Sequence, residues 1–256
     1  MKNLMHALER KKPVLSTLGF LLMIFLMFYV ISSPRIVGAS ATQRELPIYS
    51  VERDNKAVAL SFDAAWGNED TQQLIDILNQ YNVKATFFLV GDWVDRYPES
   101  VKQLHDAGME IGNHSNDHAH FTKLTTESII SNVQACNDKI AAITGVQPTL
   151  FRCPYGEYDD HVISAINQMG IHVIQWDVDS LDWKDLTADE IYKRITSKVT
   201  SGSICLFHNA ALHTPEALPS IIEYLLGEGY EIVPISQLIY TEQYTIDHTG
   251  RQLPNK

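Results

Sequence analysis

Ala57-Val-Ala-Leu-Ser-Phe-Asp63-Ala-Ala-Trp-Gly67 is the stretch that sets the fold. Its first six residues form a short, almost wholly apolar run, too brief for a helix and continuous enough for a strand covered on both faces of a parallel sheet. The run ends on Asp63, and a carboxylate leaving a buried strand is costly unless something pairs with it or ligates to it. Working outward, six further runs of the same kind lie at 85–90, 109–113, 150–153, 172–176, 204–207 and 231–235. Amphipathic helical patterns separate them at 68–81, 98–107, 125–143, 159–169, 187–199 and 214–227. Pro98 stands at a first turn, Gly108, Gly145, Gly170 and Gly229 fall just past helix ends, and Thr187-Ala-Asp-Glu190 has the form of a capping box. Strands alternating with helices predict a parallel α/β architecture, which a distorted barrel or an open doubly wound sheet would satisfy equally. No glycine-rich phosphate loop follows the first strand, which argues against nucleotide binding.

Chemistry-bearing residues gather at strand ends. The first strand ends in Asp63, the third in Asn113-His114-Ser-Asn-Asp-His118, and the fourth in Arg152-Cys-Pro-Tyr155-Gly156. The fifth runs into Asp177-Val-Asp179 and then Asp182-Trp183, and the sixth ends in His208-Asn209. In a parallel barrel the C-terminal strand ends share one face, where active sites are built. His114 and His118 are spaced so that two imidazoles can approach one divalent ion. Asp63 suits a general base if Arg152 holds it ionised through a bidentate contact. His208 suits proton donation to a leaving group. Asp179 and Asp182 as paired glycosidase carboxylates are the alternative, which leaves both histidines without a role.

The 256 residues carry a formal net charge of −11, and 45% are hydrophobic, the balance of a globular protein. Lys2, Arg10, Lys11 and Lys12 against Glu9 give residues 1–32 a charge of +3, so the remainder carries −14. Such a body repels nucleic-acid backbones, and no nucleic-acid partner is expected. Cys136, Cys153 and Cys205 form no CxxC pair and read as buried free thiols. Residues 14–32, Val-Leu-Ser-Thr-Leu-Gly-Phe-Leu-Leu-Met-Ile-Phe-Leu-Met-Phe-Tyr-Val-Ile-Ser, hold no charge, and the Arg10-Lys11-Lys12 flank favours a cytoplasmic N-terminus. The expected layout is a basic tail at 1–12, a transmembrane signal-anchor at 13–32 and a linker or short lead-in strand at 33–54. The body at 55–241 would then lie outside the cytoplasm, followed by a tail at 242–256. A cleaved signal peptide is the rival reading, with Ala39-Ser-Ala41 as a cleavage site.

In this order the strand-end segments resemble the NodB-homology polysaccharide deacetylases, carbohydrate esterase family 4, over about residues 55–240. Ser61-Phe-Asp63 is similar to the family's first motif and His114-Ser-Asn-Asp-His118 to its second. Arg152-Cys-Pro-Tyr155, Asp179-Ser-Leu-Asp182-Trp183 and Leu206-Phe-His208 are similar to the remaining three. The resemblance implies a distorted seven-stranded (β/α) barrel and metal-assisted removal of acetyl groups from a cell-wall polysaccharide, peptidoglycan or chitin-like. It makes Asp63 the base, His208 the acid, Asp182 its orienting partner, the Tyr155 N–H an oxyanion donor and Trp183 a wall of the sugar pocket. His114 and His118 would hold a divalent metal, zinc first. One departure stands out: the family's second aspartate is Ala64 here, which cannot ligate. Asp63 itself, Glu69 or Asp70 could fill the gap; otherwise the protein is a catalytically impaired glycan binder. The Asp-Ala-Ala-Trp-Gly form also resembles a sporulation-associated branch of the family.

Overall fold

A two-residue strand, Ser50–Val51 (β1), precedes Ala57–Ala64 (β2), all eight residues of which are buried. The strand reading of 57–62 therefore holds and runs two residues further. In this computed structural model the described residues are 20–29 and 44–255. Seven further strands follow: Thr86–Leu89 (β3), Glu110–Asn113 (β4), Leu150–Phe151 (β5), His172–Val173 (β6), Val178–Asp179 (β7), Ile204–His208 (β8) and Glu231–Ile232 (β9). The parallel sheet has the order β6-β5-β4-β3-β2-β8-β7, with β9 paired to the start of β2. Its two edge strands, β6 and β7, are joined by residues 174–177 alone. That connection reaches about 17 Å at most, so the sheet has to curl into a half-barrel. β7 gave no apolar run because Val178 stands between Asp177 and Asp179.

The seam between those edges is filled by chain read from the sequence as linker. Ile48 bridges Ile174 in parallel and Ser50 bridges Ser203 in antiparallel fashion. The Gln175 N–H donates to the Ile48 carbonyl at 2.7 Å and the Val51 N–H to the Gly202 carbonyl at 2.9 Å. At Gly202 φ is +84°, and a Cβ there would sit 1.6 Å from the Val51 carbonyl oxygen, so only glycine fits. Tyr244–Ile246 (β10) and Arg251–Pro254 (β11) complete a small second sheet in the order β1-β11-β10. The segment expected as a C-terminal tail is thus hydrogen-bonded to the segment expected as a linker.

Helices Thr71–Gln80 (α1), Gly91–Arg96 (α2), Pro98–Asp106 (α3), Thr126–Thr144 (α4), Asp160–Asn167 (α5), Ala188–Thr196 (α6), Thr214–Gly227 (α7) and Ile235–Leu238 (α8) join the strands. Both halves of the Thr187–Glu190 capping box are present, and Gly145 closes α4 in the left-handed conformation. Strand periodicity divides β2 between two faces. Val58, Leu60, Phe62 and Ala64 share one apolar cluster with Leu74 and Leu78 of α1 and Leu218 of α7, and Phe62 is stacked between Phe87 and Phe207. The alternate positions carry Ala57, Ala59, Ser61 and Asp63, small side chains ending in a carboxylate. That small face leaves room for a large polar group. The three cysteines are free and buried, and burial pushes the Cys136 thiol up to about 12.

Residues 20–29, in a unit separate from Glu45–Lys256, are helical and exposed. No described helix is long and apolar enough to cross a membrane. The rest of the expected anchor at 13–32, the tail at 1–12 and the Ala39-Ser-Ala41 site lie outside the described residues.

Candidate active site

The group occupying the small face of β2 is Arg152, which follows β5 and is fully buried. Its Nη1 donates to Asp63 Oδ1 at 2.7 Å; its Nη2 donates to Ser61 Oγ at 2.9 Å and to the Gln175 carbonyl at 3.2 Å. The bidentate contact expected from sequence is therefore divided between Asp63 and Ser61. The guanidinium also lies 4.1 Å from the centre of the Phe88 ring. Burial pushes the Asp63 carboxyl up, but Arg152, with His114 and His208, outweighs it and holds the group below the usual range. Asp63 is thus ionised with one oxygen committed, while Oδ2 faces His114 Nε2 at 3.5 Å.

His114 leaves β4 with its Nδ1 donating to the Arg152 carbonyl at 2.8 Å. A carbonyl only accepts, so the proton sits on Nδ1 and the Nε2 lone pair faces Asp63. The chain then doubles back through two left-handed residues, Ser115 (φ +73°) and His118 (φ +56°), fastened by the His118 N–H to Ser115 Oγ at 2.8 Å. This turn brings the His118 ring within 5.0 Å of the His114 ring, centre to centre. Burial lowers both histidines, His118 to about 4, so both are neutral donors near pH 7.

Across the cavity, His208 ends β8. Its Nδ1 and backbone N–H both meet Asp182, at 2.8 Å each, and Thr214 Oγ1 donates to the same carboxylate at 2.7 Å. Burial alone would lower His208; the Asp182 hydrogen bond and charge outweigh it and raise the group, favouring the imidazolium. Asp182 sits behind His208 with both oxygens occupied. It is therefore not free to pair with Asp179 as a glycosidase carboxylate, and that alternative falls. Tyr155 adopts φ +60° and its ring packs edge-on to His118 and face-on to His120, at 4.5 and 4.4 Å.

Asp63, His114, His118, Tyr155, Trp183 and His208 line one cavity of about 440 Å³, together with Ala65, Trp66, Gly156, Trp176, Asp179 and Leu206. Glu69 and Asp70 are not on its wall. Glu69 is exposed and folds back over Gly67, and Asp70 Oδ2 accepts from the Ala210 N–H at 2.9 Å. Ala64 is buried in the apolar cluster under α1. Two imidazoles and one carboxylate already held by Arg152 are the available donors. Among the described residues no group of three His, Cys, Asp or Glu side chains is arranged to hold a metal ion. Catalytic zinc takes three protein ligands, so the residues present do not complete the divalent site expected from sequence. Sequence reading missed Trp66, Trp176 and Thr214. Trp66 lay in the quoted stretch without a motif role, and Thr214 reaches Asp182 only through the turn after β8.

A family model described as polysaccharide deacetylase matches residues 50–174. The chain is 31% identical over 194 residues to a peptidoglycan-N-acetylglucosamine deacetylase of Bacillus cereus, covering 74% of this chain and 70% of that one. The chain belongs to the polysaccharide deacetylase family. It is also 36% identical over 189 residues to the Bacillus subtilis peptidoglycan-N-acetylmuramic acid deacetylase PdaC, covering 74% of this chain and 40% of that one. It spans about half the length of the first curated relatives it matches, from 40% to 60%. Among solved structures it resembles BA3943 of Bacillus anthracis, a pseudoenzyme of carbohydrate esterase family 4. That likeness has a TM-score of 0.73 at 35% identity and covers 76% of this chain and 69% of that one. A mutant of BA3943 with restored enzymatic activity superposes equally well, at 36% identity. The polysaccharide deacetylase match spans Asp63, His114, His118, Arg152 and Tyr155. Asp182, Trp183 and His208 lie beyond its end; Trp183 and His208 line the same cavity, with Asp182 behind His208.

Proposed function

We propose that this chain is a hydrolase that removes N-acetyl groups from a cell-envelope polysaccharide, peptidoglycan or a chitin-like polymer. The observation carrying this reading is that two separately supported acid–base units, Asp63 with Arg152 and His208 with Asp182, face the same cavity. Water adds to the acetamide carbonyl while Asp63 takes its proton. His208, kept protonated by Asp182, passes a proton to the amine as the C–N bond breaks, leaving acetate and a free amino sugar. The Tyr155 N–H, fixed by its left-handed backbone, is the donor assigned to the developing oxyanion. Arg152 makes Asp63 reliably ionised but a weak base, which points to slow turnover. His114 and His118 are the imidazoles a divalent metal, zinc first, would take; with no third side chain among the described residues arranged to complete the set, the ion would be held loosely. The apolar run at 14–32 and its basic flank support a membrane-anchored protein whose body faces outward.

A second reading, a glycan-binding protein with impaired catalysis, is favoured by the incomplete donor set at Ala64 and by the likeness to a pseudoenzyme. Acetate release from N-acetylglucosamine oligomers and from peptidoglycan, with and without added zinc, separates the two. The hydrolase reading expects acetate that falls roughly 100-fold or more in D63N and H208A. No acetate under either condition, with glycan binding retained, overturns it in favour of the binding reading.

A further inference from the structure

Tyr155 and Gly156 are consecutive residues in the left-handed region, with φ +60° and +68°. Glycine adopts that conformation at no steric cost, but a tyrosine keeps it only where its surroundings impose it. Inside the turn, the Gly156 N–H donates to the Cys153 carbonyl and the Glu157 N–H to the Pro154 carbonyl, both at 3.1 Å. Contacts of the Tyr155 ring with His118 and His120 add to these, yet the ring stays 57% exposed. A turn closed by two bonds, with its ring open to water, needs a further hold from outside the segment.

Gln175 supplies one. It lies in the connection between β6 and β7, is 1% exposed, and its Nε2 donates to the Gly156 carbonyl at 3.2 Å. Its main chain is clamped on both sides. The N–H donates to the Ile48 carbonyl at 2.7 Å, and the carbonyl accepts from Arg152 Nη2 at 3.2 Å. The residue that follows packs against the same turn. A Cβ on Gly156 would lie 3.1 Å from Trp176 Cη2, and the Arg152 guanidinium carbon is 5.5 Å from the centre of the Trp176 ring. One buried residue thus joins the segment before β1, the cation that holds Asp63 and the turn that carries the Tyr155 N–H. Burial and the clamped main chain leave its amide little freedom, so it can fix the turn without an ordering cost during reaction.

We infer that Gln175 is a positioning residue for the hydrolysis: its side-chain amide locks the Tyr155–Gly156 turn so that the Tyr155 N–H meets the developing oxyanion, while its main-chain carbonyl steadies Arg152 behind Asp63. This rests on the hydrolase reading above and adds to it a residue outside all five strand-end motifs that serves both the base and the oxyanion donor. Gln175 is not on the cavity wall, so it acts through Tyr155 and Arg152 and not on the sugar. An oxyanion donor that drifts out of place weakens the transition state more than it weakens sugar binding, so the effect falls on kcat.

The test uses Q175M, which keeps the length of the side chain and removes the donor, and Q175N, whose amide is one methylene shorter, both in the full chain. Acetate release from the N-acetylglucosamine pentamer is followed over a range of substrate concentrations. Melting temperatures and crystal structures of wild type and Q175M are determined alongside. In both variants kcat should fall by about 10- to 100-fold with KM within about twofold, at a temperature where both remain folded. In the Q175M crystal structure the Gly156 carbonyl should turn away and Tyr155 should leave the left-handed region. An unchanged kcat, or a loss confined to KM, overturns the positioning role. A Tyr155–Gly156 turn that superposes on wild type in Q175M overturns it as well, even if kcat falls. Wild type that releases no acetate overturns the hydrolase reading and the catalytic part of the role with it, while the pair of crystal structures still decides whether Gln175 fixes the turn.

Discussion

Replacing Arg152 by Met tests the centre of the site, because the structure fixes both the size and the pH dependence of the effect. Arg152 is fully buried, and its loss leaves the Asp63 carboxylate, 7% exposed at its side chain, without the cation 2.7 Å away. Removing one partner of a buried pair costs about 3–5 kcal/mol, since the remaining charge stays desolvated. Methionine fills much of the volume against Phe88, so the charge effect dominates. With a urea slope of about 2–3 kcal/mol/M, the midpoint should fall by about 1–2.5 M. The D63N/R152M double variant should recover at least about 2 kcal/mol of this, because neither charge is then stranded. The sign with pH follows from Asp63. In wild type its folded pKa is depressed, so its contribution is present above the unfolded value of about 3.9 and is lost as pH falls through the folded one. In R152M burial acts unopposed by Arg152 and the folded pKa rises. The penalty should therefore be largest near pH 7 and shrink towards pH 4. Urea titrations at pH 4.5 and 7, followed by tryptophan fluorescence, measure the penalty, its recovery in the double variant and its change with pH. A penalty below about 1 kcal/mol at pH 7, or strict additivity in the double variant, would refute the claim that this ion pair organises the site.

Three other outcomes follow from the geometry. D182N removes the carboxylate that raises His208, so the imidazole titration, followed by NMR, should move to lower pH; protonation of His208, and any activity that needs it, should then be lost earlier as pH rises, and an unshifted titration would sink the pairing. G202A places a Cβ against the Val51 carbonyl at a left-handed position and should cost at least about 2 kcal/mol, lowering the melting temperature by about 5 °C; an unchanged melting point would show that β1 does not seal the seam. Because no group of three His, Cys, Asp or Glu side chains among the described residues is arranged to hold an ion, chelation with EDTA should leave the melting temperature within about 1 °C, and a fall of several degrees would reveal a complete set of ligands.

The sequence by itself determined the parallel α/β class, seven of its strands, six of its helices and the strand ends where polar groups converge. These are legible because burial on two faces writes continuous apolar runs and helices write a 3.6-residue period, both local signals. The two-residue β7 and the lone Trp66 carry no such signal. What only the tertiary structure decided depends on distance through space. It put Arg152 on the small face of β2, shared its guanidinium between Asp63 and Ser61, and set Asp182 behind His208 instead of opposite Asp179. It turned the stretches before Ala57 and after Thr241 into the strands that seal the half-barrel. It also left Ala64 within apolar packing and Glu69 and Asp70 away from the cavity, because a side chain's partners depend on which elements the fold sets against it, and no spacing along the chain encodes that.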